Sequence, residues 1–228
     1  NEPQDQAGGN EPPALVAAYN VSFLVEMHKA GLRSVVGNWG VGHPDNHGER
    51  EAAPDWLQYQ SIIGAMHPND FLGLHEYWSL AGIQDGWLWW AGSFLQCPYD
   101  VPLMVTEVGI DHAVKGGPHQ GWHDLPGAMH DRAVRYTNEL MSYELALQRD
   151  KRVHSAHIFS HDTSTVEWDT FNTQNGEFMS VFLPRLALTQ AQMWGDRRTA
   201  RWQDIIQTHA ATYNLPPQVV GAVLAWEN

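Results

Sequence analysis

Four short apolar runs recur along this chain, each ending in polar or aromatic residues, and helical patterns separate them. Arg33 to Gly37 leads into Asn38-Trp39-Gly40. Phe71 to Leu74 leads into His75-Glu76-Tyr77-Trp78, and Leu103 to Thr106 leads into Glu107. Val153 to Ser160 forms the last run. Between them the spacing predicts helices over Pro12 to Ala30, Pro54 to Met66 and Pro126 to Arg149, with a shorter one in the Trp-rich segment Gly86 to Phe94. In the first helix Leu15, Tyr19, Phe23 and Met27 recur at i, i+4 and form an apolar face. Its prolines suit the first turn, and Gly31 suits the C-cap. Strands alternating with helices build a parallel sheet, because parallel neighbours need a crossover connection. Parallel strands are therefore expected at 33–37, 71–75, 102–106 and 153–159, all delivering polar residues at the same end. That polarity marks a barrel rim or a ligand crevice. Glu107 at such a strand end is the sharpest feature, because an unpaired buried carboxylate is costly and is kept where it does work.

Composition narrows the partners. The chain has 228 residues, 43% of them apolar, with 11 Trp, 7 Tyr and 7 Phe. This is enough to bury a core, and the aromatic surplus fits a cleft that covers the apolar faces of sugar rings. A formal charge of −13 argues against nucleic acid or an anionic membrane as partner. The single cysteine, Cys97, forms no internal disulfide. No apolar run approaches the ~18 residues of a membrane span. The chain begins at Asn1 without methionine, which reads as a mature product, a processed piece or a partial sequence.

Asn1-Glu2-Pro3 opens the chain and a second Asn10-Glu11-Pro12 follows. Together with His75-Glu76-Tyr77 and Thr106-Glu107-Val108-Gly109, their order resembles the second half of a clan A glycoside hydrolase. The resemblance covers about residues 1–195 and implies an α/β fold of the (β/α)8 TIM-barrel type, with strands 4–8 present. It implies that the Asn-Glu-Pro glutamate is the general acid/base and Glu107 the nucleophile of a retaining O-glycosidase. Glu2 and Glu107 are 105 positions apart (107 − 2), which leaves room for three βα units. Glu2 is preferred over Glu11, since Glu11 directly precedes a helix where an acidic residue has a dipole role of its own. A retaining mechanism needs two carboxyl groups roughly 5–5.5 Å apart, one protonated and one ionised. Tyr77 is expected to hydrogen-bond the nucleophile and His75 to line the same pocket. Asn38, Trp39, Trp78 and Trp168 are the remaining candidate substrate contacts. His119 and His123 are spaced i, i+4 but lie in a Gly/Pro loop without the carboxylate pattern of a metal site, so no metal or other cofactor is expected.

Beyond a helical pattern from Glu177 to Met193, a charged break at 195–201 separates residues 196–228 as a linker and an incomplete α-helical tail. Ile206 to Glu227 resembles the opening helices of a goose-lysozyme-like lytic transglycosylase domain, with Glu227 at the acid's position and Asn228 where Ser is usual. The expected substrate is an oligosaccharide or polysaccharide, and the expected setting is secreted or cell-envelope. Two alternatives stand beside the enzyme: a non-catalytic carbohydrate-binding module, and a peptidoglycan-directed protein with its chemistry in the tail. Half a barrel leaves open edges, so a missing half or self-association is expected to close it.

Overall fold

The computed structural model describes residues 12–41, 44, 54–83, 97–115, 117–161 and 166–193. The chain divides into two compact units, Asn1–Gln120 with Leu147–Phe159, and Gly121–Ala146 with Ser160–Asn228. The sequence-based boundary at 195/196, the Trp-rich helix and the C-terminal tail with Glu227 lie outside the described residues.

The first unit holds α1 (Pro13–Lys29), β1 (Val35–Trp39), α2 (Pro54–Gln58), α3 (Gln60–Ala65), β2 (Phe71–Trp78) and β3 (Leu103–Ile110). The chain leaves this unit after Gln120 and returns at Leu147, the last residue of α4 (Met129–Leu147), for β4 (Val153–Ile158). The four strands form one parallel sheet in the order β1-β2-β3-β4, as the alternation predicts. This is an α/β protein. β1, β2 and β3 run further than expected at their carboxyl ends, so Glu107 lies within β3 rather than beyond it, whereas β4 ends one residue short of the expected 159. The predicted helix over 54–66 is broken at Tyr59 into α2 and α3.

α1 starts at Pro12 and Pro13 and closes in a Schellman motif. Leu32 N–H donates to the Met27 carbonyl (2.9 Å) and Gly31 N–H to His28 (3.0 Å), with Gly31 left-handed at φ +72°. The face that α1 buries is not the one its apolar pattern marks. Leu15, Tyr19 and Phe23 are exposed, while Val16, Asn20 and Leu24, one position further along the same i, i+4 steps, are buried. Asn20 explains the choice. Its amide donates to the Val16 carbonyl at 2.9 Å and its oxygen accepts the Gly37 N–H of β1 at 3.0 Å. A polar residue in the buried stripe thus ties helix to strand, and the stripe is not recognisable from hydropathy alone.

One face of the sheet is dry. Val36, Leu72, Leu74, Leu103, Val105 and Val108 are fully buried and carry the core of this unit. The amino ends of the strands are held by polar clamps. Asp70 accepts from the Ser34 and His67 amides (3.0 and 2.7 Å) and pairs with His28 Nε2 at 2.7 Å, and His28 stacks on His67 at 3.6 Å. Arg152, just before β4, donates to the Cys97 and Tyr99 carbonyls at 2.7 Å each while paired with Asp150.

The second unit contains most of α4 and, after the short turn Val166–Phe171, α5 (Gly176–Met193). Its centre is aromatic: Trp122 stacks on Tyr136 at 5.8 Å and lies tilted against Phe178 at 5.4 Å. His130 pairs with Glu177 at 3.0 Å, and Trp122 Nε1 donates to the Asn172 carbonyl at 3.2 Å. Among the described residues no helix is long and apolar enough to cross a membrane.

Candidate active site

β2 and β3 pair so that His75 stands opposite Glu107. Successive residues of a strand point to opposite faces, so His75 and Tyr77 share the face that Leu74, Glu76 and Trp78 turn away from. On that face the Tyr77 hydroxyl donates to Glu107 Oε2 at 2.8 Å, and His75 Nδ1 lies 3.4 Å from the same oxygen. The His75 side chain is 3% exposed and that of Glu107 is 29% exposed. A buried aromatic hydroxyl and a buried imidazole therefore hold one carboxylate oxygen. The other oxygen, Oε1, accepts nothing among the described residues, and the carboxylate remains reachable. That is the arrangement a nucleophile needs: oriented from one side, open on the other.

Glu107 reaches this face by a break in the strand. The β2–β3 register runs Leu74↔Val105 and then His75↔Glu107, which leaves Thr106 as an extra residue. A second bulge sits level with it in β1, where Gly37 pairs with Gly73 and Trp39 with Leu74, so that Asn38 is extra. Asn38 is a non-glycine residue at positive φ (+47°). Thr106 Oγ1 donates to Asn38 Oδ1 at 2.9 Å. The Asn38 amide crosses Gly73 of β2 to make this bond, and a Cβ on Gly73 would overlap the amide oxygen.

Other expected site residues fall elsewhere. Trp39 is fully buried on the dry face, 4.9 Å from Tyr59 and 5.7 Å from Trp56 between ring centres, because the Asn38 bulge turns it over. Trp78 is also fully buried, with the alternation that places Leu72 and Leu74 inside. Neither offers a ring face to a sugar, which corrects the expectation that both stack on substrate. Asn38 is near the site, with its side-chain oxygen already committed to Thr106. Trp168 belongs to the second unit, where it packs edge-on against Phe171 at 5.3 Å. Glu2 and Glu11 lie outside the described residues. His119 pairs with Asp111 at 2.8 Å in the first unit, and His123 lies 3.0 Å from the Asn172 carbonyl in the second. Among the described residues no cluster of three or more His, Cys, Asp or Glu could hold a metal ion. Thr106 and Gly73 are the residues the sequence reading missed. A glycine inside an otherwise apolar strand is the available signal, since it marks a bulge or a close approach.

No family model and no curated protein matches the chain. Among solved structures it is similar to a GH128 (subgroup II) endo-β-1,3-glucanase from Sorangium cellulosum, at 17% identity and a TM-score of 0.47. The match covers 78% of this chain and 62% of that one, so the chain spans less than two thirds of the glucanase's length.

Proposed function

We propose that this chain carries the nucleophilic side of a retaining O-glycosidase of the clan A, (β/α)8 kind, acting on a β-linked or similar glycan. The observation that carries it is the Glu107 carboxylate, held at one oxygen by Tyr77 and His75 and, among the described residues, open at the other. In this reading Glu107 attacks the anomeric carbon. The glycosidic C–O bond breaks as the leaving oxygen takes a proton from a second carboxylic acid, and a glycosyl ester of Glu107 forms. Water, deprotonated by that second carboxylate, then displaces Glu107 and releases the sugar. Glu2 is the proposed acid/base, with Glu11 as the alternative. The four described strands correspond to positions five to eight of the barrel, and closure is completed by further chain or a partner copy. The proposed setting is secreted or cell-envelope.

Turnover of aryl β-glycosides by the parent and by Glu107→Gln tests the assignment. The isosteric change removes the nucleophile and is expected to lower the rate by about 10³-fold or more. Equal turnover in the two proteins would remove Glu107 from the mechanism. Trapping of a 2-fluoro-glycosyl ester on the Glu107 peptide, seen by mass spectrometry, would show the covalent step directly.

A further inference from the structure

We propose that Asn38 and Thr106 form a latch across Gly73 whose task is to turn Glu107 onto the face of the sheet that carries His75 and Tyr77. The inference rests on the reading of Glu107 as the reactive carboxylate, and it adds the residues that position it. Without the bulge, strict alternation would set position 107 on the face of Leu103 and Val105, both fully buried. The extra residue at Thr106 reverses the parity. Val108, not Glu107, resumes the buried face, and Glu107 comes opposite His75.

Three features meet at one level of the sheet to hold this reversal. Asn38 adopts a backbone conformation that costs a non-glycine residue of order 1 kcal/mol. That conformation makes Asn38 the extra residue of β1 and lets its amide reach over β2. β2 offers Gly73 at the crossing point, where any side chain would collide with the amide. β3 offers the Thr106 hydroxyl, which donates to Asn38 Oδ1 at 2.9 Å, with the Leu74 carbonyl a longer second acceptor at 3.4 Å. Bulges re-aim side chains beside functional sites. Here two bulges on strands that are not neighbours are joined by one hydrogen bond, and the residue after the second bulge is Glu107. Asn38 and Thr106 are thus positioning residues.

The test reads the direction of position 107 without any substrate. Glu107→Cys places a thiol there, and its alkylation by iodoacetamide is followed by peptide mass spectrometry. Cys97, buried and with its thiol pushed up to about 11 by that burial, serves as the slow internal reference. In the Glu107→Cys background, Thr106→Val removes the hydroxyl and keeps the shape. Asn38→Gly removes the amide and relieves the positive φ, so it keeps the backbone at ease. Each is expected to slow alkylation at 107 by about tenfold or more in protein that still melts cooperatively, and Thr106→Ser is expected to restore the parent rate within about twofold. A parent-like rate in either folded variant overturns the latch. The glycosidase reading fails separately, through an unchanged Glu107→Gln, so the two failures are distinguishable.

Discussion

The two ends of the sheet each hold a carboxylate beside a histidine, and they treat it in opposite ways. At the amino end Asp70 has a side chain 2% exposed and binds two backbone amides and His28, occupying both oxygens. Toward the carboxyl end Glu107 is 29% exposed and, among the described residues, is held through Oε2 alone. A carboxylate satisfied on every side is a structural pin, because its charge is fully compensated and no reactant reaches it. A carboxylate oriented through one oxygen, with the other left unengaged, can meet a substrate. The difference lies in which hydrogen bonds are completed, since both sites use an acidic residue, a histidine and a parallel strand.

This comparison is sharpest in energies. Asp70→Ala leaves the Ser34 and His67 amides without their acceptor and His28 without its partner, so it is expected to cost about 3–5 kcal/mol of stability. Urea denaturation measures it, and a loss below about 1 kcal/mol would make Asp70 no more structural than Glu107. Tyr77→Phe removes the hydroxyl that donates to Glu107 Oε2. Loss of such a charge-assisted bond is worth about 1.5–3 kcal/mol, an expected fall in turnover of about 10- to 100-fold. Aryl glycoside kinetics read it, and an unchanged rate would show that the Tyr77 bond does not orient the proposed nucleophile.

The smallest expected effect is the pH dependence of the pin. Burial alone would raise the Asp70 carboxyl, but the His67 amide, the His28 imidazole and the Ser34 amide outweigh it and hold it below the usual Asp value. A folded-state value below the unfolded one gives stability that is fully present above the unfolded value, near pH 4, and is lost as pH falls through the folded value. Urea midpoints of the parent should therefore fall between about pH 5 and pH 2 more steeply than those of Asp70→Asn. Parallel slopes would remove Asp70 from the acid response; among the described residues Asp150 is the other carboxyl held low, by Arg152.

Much of the architecture was legible locally. Short apolar runs alternating with helical patterns dictate a parallel sheet whatever the details. The prolines and Gly31 bound α1 to within a residue, because caps are local chemistry. The approach of His75, Tyr77 and Glu107 was also readable, since parallel strands of similar length bring corresponding ends together. The faces were not. Period-two alternation counts Glu107 with Leu103 and Val105, and hydropathy counts Leu15, Tyr19 and Phe23 as the buried stripe of α1. Trp39 reads as a rim aromatic for the same local reason. Each was decided by contacts between residues far apart in sequence: Thr106 with Asn38 over Gly73, and Asn20 with Gly37. A strand's composition determines that it is a strand. Which side each residue shows depends on register and bulges, and these exist only once the neighbouring strands have paired.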